Sequence, residues 1–394
     1  MKLDMQQALK KFVSPQMSSI MQEKQKKVLV LHDFFLYRGW AERYNLMLAD
    51  ALCADIAASF WSDEALWMEI SSRVGKRISF ARESVGWWIP GLRQIYLAFK
   101  FRFSTWFVQN YDTVIFSNDS LAAVGSALKW TKKIFFAHSL PRYLFDRREE
   151  YYHKVPFFLR PIYIVCRYFL ERLFFRDLSH IDTIWTNSEQ LRVQIKHYTG
   201  RDAEVIHPPV NQLYFSQDGL RYDPGFRYFL SFSKFSYFKR IDRVIDAFER
   251  RPDLHLVLIY GERDPDRDEL LARASASPNI HPVRLEDNNL LPSYIRGAIA
   301  TIFIPKHEDF GMVAIESLSC GTPVIGVNEW GLRETIQDGV NGILVPEWAP
   351  IESLDRAFTQ MTESRERYAK NARSSVKCFG LDVFTRKLEK IIHW

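Results

Sequence analysis

The chain reads as an α/β protein made of two doubly wound parallel-sheet domains, and three observations predict this. Its 394 residues exceed what one ordinary hydrophobic core organises. Short apolar runs alternate with stretches of helical character along most of the length. A proline break, His207-Pro208-Pro209-Val210, interrupts the alternation, which then starts again.

Residues 1–26 are polar and basic, weakly amphipathic from Leu3 to Val13, and read as an appendage. The first strand is expected over 28–32, followed by a loop over 33–39 and a helix over 41–52. Further strands are expected over 113–117, 133–137, 184–187 and 204–206, with helices between them, which gives a first domain over 27–207. A hinge runs to Phe226. The second domain, 208–375, then opens with a strand over 228–232 and a helix over 241–250. A strand over 254–259, a helix over 268–276 and a short helix over 290–297 come next. Residues 376–394 carry a last helix over 381–392.

Composition narrows the class. Hydrophobic content of 47% with 25% charged residues belongs to a globular protein. No apolar run reaches the roughly 18 residues of a membrane span, and the polar start lacks a signal-peptide core. Cys53, Cys166, Cys320 and Cys378 have neither disulfide nor zinc spacing, which points to a reducing cytoplasm. A net charge of +6 suits anionic substrates, an acidic membrane surface or nucleic acid, and no nucleic-acid motif is present.

The stretch 306–345, KHEDFGMVAIESLSCGTPVIGVNEWGLRETIQDGVNGILV, carries most of the functional signal. Glu308 and Glu316 bracket a junction between a strand (301–304) with its loop and a helix (312–319). The Cys320-Gly-Thr-Pro323 step then leads to a strand over 324–327. The amides of Phe310, Gly311 and Met312 fall at the helix N-terminus, where the dipole and unpaired donors favour an anion. Donors for phosphate beside two hydroxyl acceptors suit a sugar nucleotide.

Glu-x7-Glu followed by Gly-Thr-Pro-Val resembles the signature of the retaining family-4 glycosyltransferases. Their GT-B fold sets two Rossmann-like domains across a cleft. The resemblance covers roughly 28–392 and is densest from 228 to 346. Ser231-Phe-Ser-Lys234 and Lys239-Arg-Ile-Asp242 look like the family's Gly-Arg-Leu-x-x-x-Lys segment. Residue-by-residue matching puts Lys234 and Lys239 on the donor diphosphate, with a lysine point charge replacing an arginine fork at 234. By the same matching, Glu308 meets the transferred sugar and Glu316 the ribose hydroxyls. Gly261 matches a glycine near base and ribose, or is an ordinary strand-end turn. The base is expected to be read by main-chain groups around 281–285, which leave no clear trace in the sequence. The resemblance also implies that the last helix crosses back to the first domain.

In the first domain, His138 stands just past a strand end, where ligands of open α/β sheets bind. With Arg142, Tyr143 and Asp146 it resembles the His-x-x-x-Arg-Tyr-x-x-Asp segment of bacterial mannosyltransferases of O-antigen and exopolysaccharide assembly. This implies that His138 lies beside the reacting sugar. Arg142, Tyr143 and Asp146 are expected either to line the acceptor side or to buttress the fold. Gly39-Trp40-Ala41-Glu42 departs from the family's Gly-Gly-Ala-Glu. Gly39 keeps the first family glycine, for which the resemblance implies a donor contact, while Trp40 in place of the second would hold the loop off the donor or stack on an acceptor sugar. Glu42 is alternatively a helix-start carboxylate. Asn187-Ser188-Glu189 reads as a helix cap.

Two stretches, 87–107 and 141–176, interleave basic residues with large aromatics such as Tyr151, Phe157, Phe158, Phe169 and Phe174. That pattern suits helices lying in an anionic bilayer interface, or an aromatic core with arginine rims.

Together these readings imply retaining transfer of a hexose from a nucleoside diphosphate sugar, GDP-mannose first, to a lipid-linked or polysaccharide acceptor. The setting would be bacterial surface glycan synthesis, in the cytoplasm at the inner face of the plasma membrane. No cofactor and no metal are implied. Asp264-Pro-Asp266 lies in a polar turn without a metal context, and no Gly-x-Gly-x-x-Gly follows the first strand. The alternatives are a UDP-glucose or UDP-galactose transferase, an epimerase or phosphorylase of the same fold, and a non-catalytic glycan- or membrane-binding subunit.

Overall fold

The computed structural model describes residues 26–35, 40–61, 73–81, 92–261, 264 and 266–392. Nearly all of the appendage, Gly39, and residues 87–91 of the first aromatic stretch lie outside the described residues. Two compact units are drawn from these residues. One comes from Met1–Tyr37, Asn45–Phe135 and Arg172–Asp182, the other from Arg38–Tyr44, Phe136–Glu171 and Thr183–Trp394.

Two parallel sheets carry the fold. The first holds β1 (Val28–His32), β2 (Asp55–Ala58), β3 (Arg77–Ser79), β4 (Thr113–Ser117), β5 (Lys132–Ala137), β6 (Thr183–Thr186) and β7 (Glu204–Val205). Their order is β3-β2-β1-β4-β5-β6-β7. Every residue of β1 is buried, as its unbroken VLVLH run requires of a strand covered on both faces.

The second sheet holds β8 (Tyr228–Ser231), β9 (His255–Tyr260), β10 (Ile280–Arg284), β11 (Thr301–Phe303), β12 (Val324–Val327) and β13 (Gly342–Val345). Its order is β10-β9-β8-β11-β12-β13, with every neighbouring pair parallel. The strand order reverses between β8 and β11. Ligands of open α/β sheets sit in the crevice beyond the carboxyl ends of strands at such a switch.

Helix Ile241–Glu249 follows β8 and buries Ile241, Val244, Ile245 and Phe248, one face at helical spacing. Helix Met312–Ser319 joins β11 to β12 and buries Ala314, Ile315, Leu318 and Ser319. Ser188 caps helix Glu189–Thr199 by accepting from the Leu191 amide at 3.1 Å, and Gly200, at φ 72°, closes it in the left-handed region.

Four strands were not anticipated: β2, β3, β10 and β13. β10 contains Pro282, which cannot donate to a ladder, so its residues read as irregular backbone. As an edge strand it tolerates the proline. β3 is only three residues long, with two of them exposed, and offers no apolar run to notice.

The helix Arg160–Leu178 exposes a run of apolar side chains over part of its length. Ile162 and Phe169 are each 61% exposed, with Ile164, Val165 and Tyr168 beside them, while Arg167 and Asp177 are buried. Just ahead of it, Phe157 is 79% and Phe158 65% exposed. Of the aromatic residues singled out above, Phe174 is buried and Tyr151 half-buried. On helix Leu92–Phe103, Ile95, Phe99 and Phe103 expose one face at four-residue spacing.

Candidate functional site

The carboxyl ends of β8 and β11 each release a loop at the switch of the second sheet. After β8 the chain passes Lys234, makes a turn of 3-10 helix over Tyr237–Lys239, and enters helix Ile241–Glu249 through Arg240 at φ 50°. After β11 it passes His307 at φ 54°, Glu308, Asp309 and Phe310, then Gly311 at φ 95°, which opens helix Met312–Ser319. A Cβ at Gly311 would lie 2.5 Å from Leu332 Cδ2, so both the backbone angle and the space select glycine.

These two loops meet. The Lys239 ammonium donates to Glu308 Oε2 at 2.6 Å, with Phe303 beneath it at 5.2 Å from the ring centre. The Lys306 amide donates to the Phe238 carbonyl at 2.7 Å and ties the loops a second time. Gly331 supports Glu308 from below by donating its amide to the Glu308 carbonyl at 3.0 Å.

Glu316 lies on the buried side of its helix. Burial pushes its carboxyl up to about 7 against the pull of Arg43. Glu42 behaves in the same way. Burial raises it to about 7, against its own backbone hydrogen bond, Lys234 and Arg43. The exposed Lys234 therefore acts electrostatically on Glu42, a residue of helix Trp40–Ala51.

Phe310 is buried and stacks on His207, ring centres 5.5 Å apart, with Phe379 edge-on at 5.3 Å. Its ring is an anchor for the loop; Gly311 is the N-cap and Met312 the first residue of the helix, and Phe310 directly precedes the cap. Gly261 donates its amide to Asp264 Oδ2 at 3.0 Å, and the Phe235 amide donates to the same oxygen at 3.0 Å. Asp264 thus staples the end of β9 to the loop that follows β8.

His138, just beyond β5, is buried in an aromatic setting of Phe136 at 4.5 Å, Tyr44 at 5.1 Å and Trp40 at 6.3 Å. The fold therefore brings together His138 and Trp40, which 98 positions separate in the chain. Tyr143 faces Tyr151 at 6.3 Å. Arg142 donates to Asp309 Oδ2 at 2.6 Å and to the His307 carbonyl at 3.3 Å.

Several contributors were missed in the sequence. Glu329 is 3% exposed and accepts the His307 amide at 3.0 Å, holding the Glu308 loop from the far side. Glu334 accepts from the amides of Glu189 and Gln190, at 2.9 and 2.8 Å, and so neutralises the N-terminus of helix Glu189–Thr199. Asp309 is raised to about 6 by burial, against the opposing charge of Arg142. Its position next to Glu308 was the only available signal.

Residues 217–375 match the family described as glycosyl transferases group 1. That match makes residues 217–375 similar to a group 1 glycosyl transferase domain. Lys234, Lys239, Gly261, Glu308 and Glu316 all fall inside it, whereas Trp40, His138, Arg142 and Tyr143 precede it. A D-inositol 3-phosphate glycosyltransferase of Nocardiopsis dassonvillei is 30% identical over 190 residues, 42% of this chain and 44% of the relative. The chain thus spans less than half the length of that curated relative.

Among solved structures, sucrose-phosphate synthase from Thermosynechococcus elongatus superposes with a TM-score of 0.71 at 16% identity, over 93% of this chain and 98% of that one. Anabaena HepE in complex with UDP-glucose gives 0.69 at 16% identity, over 93% and 99%. The described residues share the GT-B fold with these structures.

Proposed function

We propose that the protein is a retaining glycosyltransferase that moves a hexose from a nucleoside diphosphate sugar onto a lipid-linked or polysaccharide acceptor in bacterial surface glycan synthesis. The observation that carries this reading is the meeting of Lys239 and Glu308 at the switch of the second sheet, beside the first turn of helix Met312–Ser319. Cleaving the bond from the anomeric carbon to the diphosphate builds negative charge on the departing phosphate. Lys239, Lys234 and the amides of Phe310, Gly311 and Met312 supply positive potential for it. Glu308 orients hydroxyls of the transferred sugar, and Glu316 those of the ribose. His138 faces the reacting sugar from its aromatic setting, with Trp40 on the acceptor side.

GDP-mannose is the first donor choice, because His138, Arg142, Tyr143 and Asp146 follow the mannosyltransferase pattern. UDP-glucose is the second, because HepE, with the same fold, is seen with that donor. Thermal melts against GDP-mannose, UDP-glucose and UDP-galactose identify the donor, since a ligand that prefers the native state raises the melting temperature. NMR of the product then reads the anomeric configuration. No stabilisation by any nucleoside diphosphate sugar, or an inverted product, would overturn the reading.

The acceptor is presented at an anionic membrane surface. No helix among the described residues is long and apolar enough to cross a membrane. The support is the outward apolar face of helix Arg160–Leu178, with the exposed Arg172 and Arg176 at its end. The proposed location is the inner face of the plasma membrane.

A further inference from the structure

Arg142 makes contacts of a different kind from those of an acceptor-side residue. Its guanidinium reaches both neighbours of Glu308: the His307 carbonyl at 3.3 Å from each terminal nitrogen, and Asp309 Oδ2 at 2.6 Å. Asp146, four residues on, stands 3.7 Å from Arg142 and 4.0 Å from Arg147. The Arg147 guanidinium lies over the Phe238 ring at 3.8 Å, and Phe238 is the residue before Lys239. All of these residues belong to the same compact unit.

We infer that Arg142 is a positioning residue that sets the Glu308 loop against Lys239, with Arg147 bracing the Lys239 side and Asp146 aligning the two guanidiniums. A peptide carbonyl and a carboxylate, on opposite sides of one residue, are gripped by one planar fork. That fixes the rotation of the backbone at Glu308 as well as its place. Only a rigid array of several donors does this, because a lysine ammonium is a single point on a flexible stem. His307, at φ 54°, holds its carbonyl in an orientation that few non-glycine residues adopt, and the fork stabilises that conformation. The pattern Arg-Tyr-x-x-Asp and the Asp of Glu-Asp-Phe-Gly thus act as one device, although 167 positions separate Arg142 from Asp309.

The inference rests on the proposed role of Glu308, and the test separates the two. Amide hydrogen exchange over 305–311 and steady-state kinetics are measured on the full chain for Arg142→Ala, Arg142→Lys and Asp309→Asn. Exchange over 305–311 is expected to rise at least tenfold in all three, with β9 unchanged. kcat is expected to fall at least tenfold, and lysine is expected not to rescue it. Unchanged exchange in that segment would overturn the inference. So would full rescue by Arg142→Lys, or a rise confined to the acceptor KM. If wild-type protein neither binds nor turns over GDP-mannose or UDP-glucose, the functional reading falls, and the exchange data still judge the clamp.

Discussion

The Lys239 ammonium and the Glu308 carboxylate stand 2.6 Å apart across 69 residues of sequence, each from the loop after a different strand of the second sheet. The two side chains are 27% and 23% exposed, and ion pairs reached by water contribute little to stability, typically under about 1 kcal/mol. The role proposed for the pair therefore rests on its position at the sheet's switch point and not on its contribution to stability. Lys239→Ala and Glu308→Gln are each expected to lower kcat/KM by about 10²–10³-fold while shifting the melting temperature by only a few degrees. The double variant is expected to lose less than the product of the two, because the residues act as a unit. Near-normal turnover in either single variant would remove its role.

Glu316 predicts a pH dependence. Burial in the folded protein pushes its carboxyl up to about 7 from an ordinary 4.5. For a raised acid, stability is full below the ordinary value and is lost as pH rises through the folded one. The displacement corresponds to an upper bound on the order of 3 kcal/mol. Glu42 and Asp309 are raised too and share this window, so the comparison must be made between variant and wild type. Glu316→Gln is expected to match wild type near pH 4, to be more stable at pH 8, and to bind the donor more weakly. Melting curves from pH 4 to 8 with parallel slopes for both proteins would refute this.

Gly331 offers a steric test. A Cβ placed there would lie 2.2 Å from the Asp309 carbonyl oxygen and 2.5 Å from the Phe310 Cα. Both are backbone atoms of the Glu308 loop, so no side chain can swing away. Gly331→Ala is expected to destabilise the protein by about 1–3 kcal/mol and to weaken donor binding at least tenfold. The checks are denaturant unfolding and calorimetric titration. Wild-type affinity in the variant would show that the loop tolerates displacement.

The exposed aromatic face predicts lipid binding. Transferring a phenylalanine side chain from water into an apolar layer is worth about 2 kcal/mol, and about 1.4 kcal/mol is a tenfold change in partition. Phe158→Ser with Phe169→Ser is expected to reduce co-sedimentation with anionic liposomes at least tenfold. Arg172→Gln with Arg176→Gln is expected to reduce its dependence on salt. Equal binding of wild type to neutral and anionic liposomes would remove the charge component.

The group 1 signature was readable because its parts are neighbours in the chain. Glu308, Gly311 and Glu316 sit on one loop and helix, so spacing along the backbone is also spacing in space. The roles of Glu329, Glu334 and Asp309 were not readable. Glu329 acts on a residue 22 positions away, and Glu334 on one 145 away. Arg142 was expected among acceptor-side or buttressing residues, and its carboxylate partner lies 167 positions downstream. A charged residue announces that it needs a partner without saying which one.

The amino-acid order alone determined the alternation of strand and helix, the proline break at 208–209, and the loop-to-helix junction at Gly311. These depend on backbone angles and on apolar periods within a few residues. Tertiary structure decided the order β10-β9-β8-β11-β12-β13, which puts the ends of β8 and β11 side by side and so brings Lys239 to Glu308. It also decided which face of helix Arg160–Leu178 turns outward, leaving phenylalanines in water and Arg167 inside. The reason is that strand neighbours and helix rotation are chosen by how all the apolar surfaces pack at once, which no local run of residues encodes.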